Sequence, residues 1–359
     1  MTDTTPDVAV LVGRFQPFHN AHLALLRRAL EIAPHCVVVI GSAHQARTPK
    51  NPFTWAERAE MIRLALKPED QSRVQFLPLR DCYDAARWER SVRDGVATLA
   101  ASTPRGDGSA APMVTLVGHF KDATSEYLRG FPGWPLESVE RLPGADGTHL
   151  RDALFSGPTG HPDQTEATLS TLVDQVPPST TAFLRAWLQL PFVHELSEEW
   201  RILQQYKASW RAAPYAPVFV TVDAVVRCAG RVLLIRRGQA PGRGLLAVPG
   251  GFIEQRETAY QSTLRELAEE THLKLLDDTM KRCLHTTAVF DHPDRSQRGR
   301  TITHAHYFDL GSRNLPEVKA GDDAEAVEWV AIDRLASMED RFHDDHFHML
   351  DHFLGLTGG

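Results

Sequence analysis

The chain has 359 residues, enough for about two domains at roughly 100 to 200 residues each, every one able to bury a core. Hydrophobic residues make up 42% and charged residues 24%, which excludes a disordered polar chain. With 39 Lys and Arg against 46 Asp and Glu the net charge is −7, so no overall positive field draws the protein to nucleic acid or an anionic membrane.

Four cysteines, Cys36, Cys82, Cys228 and Cys283, stand far apart with no C-x-x-C pair. Neither a disulfide framework nor a cysteine zinc site is expected, and a reducing cytoplasm fits. The first seven residues are acidic, and the apolar runs at 8–12 and 37–40 are far too short to span a bilayer, so no export or membrane signal is read. Histidine, at 17, is over-represented, with a dense group in RFHDDHFHMLDH at 341–352.

In chain order, apolar β-branched runs near residues 8 and 37 end in Gly13 and Gly41, the first followed by a helical period, LALLRRALEIA. A further run at 113–117 ends in Gly118. Repeated βα units around a parallel sheet follow from this pattern. The stretch 101–112 reads as a surface loop and 190–216 as a connector with a helix near 198–210. Beyond it, strands are expected at 218–226, 231–236 and 304–310, with one long helix at 258–271. The fold class is therefore α/β: a Rossmann-like first domain over 1–189, a helical linker over 190–216 and an α+β second domain over 217–359.

The first constellation is GRFQPFHNAH at 13–22, where a strand hands over to a helix. Ligands bind there in parallel α/β sheets, and free N–H groups at the helix start favour phosphate. His19 and His22, three apart, can face one pocket and with Arg14 hold a polyphosphate as charge moves to a leaving group. The P-loop pattern is absent. The segment resembles the H-x-G-H signature of the nucleotidylyltransferase superfamily, and its longer form is similar to archaeal-type nicotinamide mononucleotide adenylyltransferases. GSA at 41–43, KNPFT at 50–54 with Glu57 and Arg58, and GTHLR at 147–151 agree in order.

That resemblance implies roles in ATP and mononucleotide binding for Gly13, Arg14, Phe15, Lys50, Asn51, Arg58, Gly118, Lys121, Asp122 and Thr148, with His19, His22 and Arg151 catalytic. It implies a nicotinamide-stacking ring at Trp88, with Trp134 the competitor; packing in a core is the equal alternative for either. Three departures stand out: Ala21 replaces the signature glycine, Lys50 replaces the usual arginine, and Ala145-Asp146 replace Ile-Ser.

The second constellation runs from Gly251 through Glu257 to Arg265-Glu266-Leu267-Ala268-Glu269-Glu270-Thr271-His272-Leu273. Glu266, Glu269 and Glu270 fall at i, i+3 and i+4, so three carboxylates share one helix face and need a cation among them. Hard divalent ions, Mg²⁺ or Mn²⁺, take such oxygen ligands and bridge to a diphosphate. Arg265 can pair with Glu257 and fix the loop. The pattern resembles the Nudix box, with only its last glycine replaced, by His272. The surrounding segments are similar to those of bifunctional adenylyltransferase/ADP-ribose pyrophosphatases, which implies metal ligation by Glu266, Glu269 and Glu270, catalysis at Glu269, and substrate contacts from Arg236, Arg237, Gly250, Gly251 and Arg300.

Glu325 and Glu328 are candidates for the general base. His343, His346 and His348 have close spacing but no accompanying thiolates, so a solvated helix face is preferred to zinc; His292 and His304 lie near the expected substrate loop. The resemblances together imply an enzyme that makes NAD and pyrophosphate from ATP and nicotinamide mononucleotide, and splits ADP-ribose into AMP and ribose 5-phosphate. A homo-oligomer is expected, with no nucleic-acid or membrane partner. Alternatives are the same folds with other mononucleotides or nucleotide diphosphates, a ligand-sensing second domain, or a fusion with one inactive head.

Overall fold

A computed structural model describes residues 5–101, 112–119, 123–140, 146–157, 162–311 and 314–358. The chain divides into two compact units, Met1–Ser197 and Glu198–Gly359. Among the described residues no helix is long and apolar enough to cross a membrane.

The first unit runs β1 (Val8–Gly13), α1 (Asn20–Ile32), β2 (His35–Ile40), α2 (Trp55–Leu64), α3 (Pro68–Gln71), β3 (Val74–Pro78), α4 (Ala85–Ala101), β4 (Val114–Gly118), β5 (Leu136–Ser138), α5 (Gly147–Ser156), α6 (Pro162–Ser170) and α7 (Pro178–Trp187), and α8 (Phe192–Ser209) begins in it and ends in the second. The strands form one parallel sheet in the order β3-β2-β1-β4-β5. β1 and β2 read as continuous apolar runs because helices cover both faces and bury nearly every residue. Val10, Val37, Val39 and Leu116 pack with Val92 and Val96 of α4. The chain winds outward from β1 to β3, then returns to place β4 on the other side of β1, so the order reverses between β1 and β4. A ligand crevice opens at the carboxyl ends of such a pair, here Gly13 and Gly118.

α8 starts at Phe192, six residues before the helix read from the sequence, because Val193, Leu196 and Ser197 are buried. The division between units thus falls inside that helix.

The second unit contains β6 (Phe219–Cys228), β7 (Arg231–Arg237), β8 (Leu246–Ala247), β9 (Gly250–Phe252), α9 (Ala259–Thr271), α10 (Asp277–Cys283), β10 (Leu284–Phe290), β11 (Thr301–Asp309), β12 (Ala324–Ala331), α11 (Ile332–Leu335) and α12 (His346–Leu354). Its mixed sheet has the order β10-β11-β6-β7-β12, with β8 on β7 and β9 on β6. Among the described strands of this unit only β6 and β11 pair in parallel. Side chains alternate along β6: Ala224 and Val226 pack with Leu267 of α9, while Val225 packs with Phe347, Met349 and Leu350 of α12. α9 and α12 therefore cover opposite faces.

Candidate active sites

In the first unit the loop after β1 doubles back so that the buried Phe15 ring lies against Gly13, where a Cβ would come within 2.8 Å of it. Phe15 itself adopts a left-handed φ of +52°. Gln16 then ties this loop to the loop before α2, its Nε2 donating to Phe53 O (2.8 Å) and its Oε1 accepting from Phe53 N (3.0 Å). The second loop is fixed in turn by the capping box of α2, in which Glu57 accepts from Thr54 N at 2.7 Å.

Arg58, expected to contact substrate, points inward. It is 1% exposed and donates to Arg14 O and Gly41 O (2.7 Å each), Ser42 O (3.1 Å) and Thr54 O (3.2 Å). Burial pushes its guanidinium down to about 10, with Asp81 opposing that shift. It holds together the ends of β1 and β2. Asp81, which the sequence reading did not single out, accepts from Ser42 N (3.0 Å), Ser42 Oγ (2.6 Å) and Gln45 Nε2 (2.9 Å). Gln45 Oε1 accepts from Asn51 Nδ2 at 2.6 Å. No sequence signal marks Asp81, since its partners lie in another loop.

His19 occupies the N-cap position of α1 without a side-chain capping bond, and His22 follows one turn on; their rings stack with centroids 3.6 Å apart and Phe15 stands edge-on to His22. His22 Nδ1 is buried with no hydrogen-bond partner among the described residues. Burial, then the neighbouring His19 and His119, holds the His22 imidazole well below its ordinary value, so it is neutral at pH 7. Arg151 on α5 donates to Gln16 O (2.7 Å) and Thr148 Oγ1 (3.0 Å), and burial together with nearby Arg14 pushes it down to about 10. Asp146 caps α5, accepting from Thr148 N (2.9 Å) and His149 N (3.3 Å). The residue that departs from the resembled motif thus replaces a hydroxyl with a helix cap. Gly13, Arg14, Phe15, His19, His22, Thr148 and Arg151 are gathered by these contacts around the carboxyl end of β1.

Trp88 and Trp134 belong to a neighbouring aromatic group. Trp88 stands edge-on to Tyr127 (5.8 Å) and Phe131 (5.9 Å), Phe131 stacks on Trp134 (5.1 Å), and Arg93 lies 4.9 Å above the Trp134 ring. Tyr127 OH donates to Val12 O at 3.2 Å, which fixes the group beside the end of β1. Both tryptophans are half-buried. Gly118 ends β4 beneath Leu128, and Lys121 and Asp122 lie outside the described residues.

In the second unit Thr258 and Gln261 form the capping box of α9. Arg265 fastens the preceding loop, donating to Glu257 (3.0 Å) and Phe252 O (3.1 Å), and reaches Glu266 and Glu269 at 2.9 Å each. Ser262 Oγ also donates to Glu257 (2.7 Å), and these two bonds hold the Glu257 carboxyl below its ordinary value. A Cβ at Gly250 would collide with the Val222 carbonyl, so glycine is sterically required there, whereas one at Gly251 would displace the Glu266 carboxylate. Glu270 is almost fully buried and accepts from Gly250 N at 2.8 Å; burial, only partly offset by that bond, pushes its carboxyl up to about 9. Among the described residues no three acidic, histidine or cysteine side chains converge in a metal-holding arrangement. Arg265 supplies the positive charge between Glu266 and Glu269. An all-oxygen donor set that already requires a cation fits a hard divalent ion.

His272 takes the left-handed conformation (φ +50°) that the resembled glycine would take, and its Nδ1 lies 3.0 Å from Lys319 O. Glu325 and Glu328 occupy exposed positions of β12. Besides the other carboxylates of α9, Asp322 acts by its charge on Glu266 and Asp323 on Glu270. Arg236 donates to Gly244 O (2.9 Å), Arg237 to Pro241 O (3.0 Å) and Arg300 to Asp291 O. Arg237 lies within the field of Arg298, Asp323, Asp344 and Glu270. His346 Nδ1 accepts from Val248 N (3.2 Å), and the buried His343 ring lies against Gly242. The terminal histidines thus line the α12 face of the sheet, beside the bidentate buried pair Arg295–Asp345 (2.8 Å).

A parallel α/β unit with its histidine pair at the strand-order reversal, joined to a mixed-sheet unit carrying three helix carboxylates behind a glycine pair, defines a nucleotidylyltransferase-type domain fused to a Nudix domain. Family models agree: Cytidylyltransferase-like over residues 10–82 and NUDIX domain over 217–353. The nicotinamide/nicotinic acid mononucleotide adenylyltransferase of Acinetobacter baylyi is 32% identical over 196 residues, covering 54% of this chain and 94% of that protein. The crystal structure of a bifunctional NMN adenylyltransferase/ADP ribose pyrophosphatase from Francisella tularensis superposes with a TM-score of 0.86 at 32% identity, covering 98% of this chain and 99% of that one. The same Francisella protein complexed with AMP and a manganese ion gives a TM-score of 0.85 at 31% identity, with the same coverage. The chain belongs to the family of bifunctional nicotinamide mononucleotide adenylyltransferase/ADP-ribose pyrophosphatases.

Proposed function

We propose that the first unit transfers the adenylyl group of ATP to nicotinamide mononucleotide, giving NAD and pyrophosphate, and that the second hydrolyses ADP-ribose to AMP and ribose 5-phosphate. The observation that supports this best is the likeness of the whole chain, both units included, to the bifunctional Francisella protein.

In the first reaction a phosphate oxygen of the mononucleotide attacks the α-phosphorus of ATP and pyrophosphate leaves. No covalent enzyme intermediate is required, so catalysis is alignment plus neutralisation of the triphosphate. Arg14 and Arg151, near enough to feel each other's charge, meet the β and γ phosphates with Thr148, while Lys50 and Asn51 approach from the loop that Gln16 and Arg58 hold. The neutral His22, stacked on His19, donates a hydrogen bond to the reacting phosphate rather than adding a full charge.

In the second reaction Glu266, Glu269 and Glu270 would hold Mg²⁺ or Mn²⁺, which supplies charge for the diphosphate and a more acidic water. Arg265 and Glu257 orient two of these carboxylates and the glycine-rich turn. Arg237 and Arg300 bind the outer phosphate or ribose oxygens. Water adds to one phosphorus and the other phosphate leaves with its ribose. Since the Acinetobacter relative is named for both mononucleotides, the nicotinate form is a second acceptor to include. The test is product analysis of the purified protein with ATP and nicotinamide mononucleotide, nicotinate mononucleotide or pantetheine phosphate as acceptor, and separately with ADP-ribose. Absence of NAD formation would refute the first activity, and ADP-ribose binding without cleavage at any metal concentration would turn the second unit into a sensor.

A further inference from the structure

Asn51 is 7% exposed, and its Oδ1 is a buried acceptor with no hydrogen-bond partner among the described residues. Its backbone is engaged by Thr48, with N donating to Thr48 O (3.0 Å) and O accepting from Thr48 N (3.3 Å). The residue is therefore held in place, and the open question is which end of its amide faces which way. The two ends are alike in shape, so the hydrogen-bond network decides. Asn51 Nδ2 donates to Gln45 Oε1 (2.6 Å), and Gln45 Nε2 donates to Asp81 Oδ2 (2.9 Å). Asp81 also accepts from Ser42 N (3.0 Å) and Ser42 Oγ (2.6 Å). A carboxylate only accepts. It thus turns the Gln45 NH2 toward itself and the Gln45 oxygen toward Asn51, which leaves the Asn51 oxygen facing away from both. This relay starts just past β3, crosses the end of β2 and finishes in the loop before α2, on the carboxyl side of the parallel sheet where ligands bind.

A buried acceptor left open is costly, and a phosphate, itself an acceptor, does not fill it. A sugar hydroxyl both donates and accepts, so it needs no fixed polarity opposite it. A planar NH2 group donates only. We infer that Asp81 and Gln45 are positioning residues that aim the Asn51 carbonyl oxygen at the NH2 group of a bound substrate, the adenine amino group or the nicotinamide carboxamide, and so set the preference for it. The assignment rests on the adenylyl transfer proposed above.

The experiment measures KM and Kd for ATP against inosine triphosphate, and for nicotinamide against nicotinate mononucleotide. It uses wild type, Asp81→Asn, Asp81→Asn/Gln45→Glu and Asn51→Ala. Inosine triphosphate and nicotinate mononucleotide each carry an oxygen where the NH2 was. The amide introduced by Asp81→Asn donates to Gln45, which reverses the relay and turns the Asn51 NH2 toward the substrate. In one of the two pairs wild type is expected to favour the NH2 compound, and Asp81→Asn and Asn51→Ala to cut that preference about 2- to 12-fold, one neutral hydrogen bond converted at 1.4 kcal/mol per decade. Asp81→Asn/Gln45→Glu puts an acceptor-only group between two amides, turns Asn51 back and restores the preference. A relay that merely braces the loop raises all four constants together and leaves both ratios unchanged, which overturns the proposal. A preference that the folded double variant fails to restore overturns it too. Should Asp81→Asn unfold, the Asn51→Ala ratio decides by itself. If wild type binds the nucleotides without forming a dinucleotide, the activity proposed above fails and the relay is read from Kd. Binding of none of the four overturns both.

Discussion

Replacing Arg58 by Met tests whether this arginine positions the adenylyltransferase loops or touches ATP. The methionine keeps the length and apolar stem but removes donors to four backbone carbonyls, three of them at 2.7 to 3.1 Å on Arg14, Gly41 and Ser42. Each buried acceptor left unsatisfied costs about 1–3 kcal/mol, and loop relaxation recovers part of it, so the net loss is about 3–5 kcal/mol. For a unit of this size each kcal/mol lowers Tm by about 2–4 °C, giving a drop on the order of 10 °C in the first unit. Scanning calorimetry, with NAD synthesis followed below the new transition, reads both consequences. A Tm within 2 °C of wild type together with a large rise in the KM for ATP would refute the clamp and make Arg58 a substrate contact.

Three further outcomes follow from the second unit. Gly251→Ala drives a methyl into the Glu266 carboxylate, and disturbing one metal-side carboxylate should lower ADP-ribose hydrolysis about 10- to 100-fold, with NAD synthesis unchanged in the same preparation. His272→Gly restores the residue type its left-handed backbone favours while losing one hydrogen bond; hydrolysis should stay within two-fold and stability within about 1 kcal/mol, checked by chemical denaturation. The Glu270 carboxyl, pushed up to about 9 by burial, keeps its proton in the metal-free folded state, so this group's contribution to stability falls as pH rises from its unfolded value toward 9. Metal binding displaces that proton. The Tm increment from Mn²⁺ should therefore grow from pH 6 to pH 8, and an increment flat in pH would contradict the assignment of Glu270 as a ligand.

The glycine-ended strands and the box helix were legible because local pattern alone specifies them: β1, β2 and β4 are short apolar runs, and α9 carries its own capping box. β3 was not read, since Val-Gln-Phe-Leu-Pro is an edge strand with only Val74 fully buried. β10 escaped for a similar reason, its Leu-His-Thr-Thr-Ala-Val-Phe being largely exposed. The inward turn of Arg58 depends on carbonyls 16 to 44 positions away, which no spacing rule conveys. The terminal histidines were conspicuous in composition, but their environment, Gly242 against His343 and Val248 against His346, arises only when the chain end packs across the sheet.

The central claim is two separate chemistries in one chain. Its most direct test is one preparation each of wild type, Arg151→Ala and Glu269→Gln, assayed in parallel for NAD formation from ATP and nicotinamide mononucleotide and for AMP release from ADP-ribose. Wild type should perform both, Arg151→Ala should lose only NAD formation, and Glu269→Gln should lose only AMP release. Loss of both activities in either folded variant, or absence of one from wild type, would contradict the account.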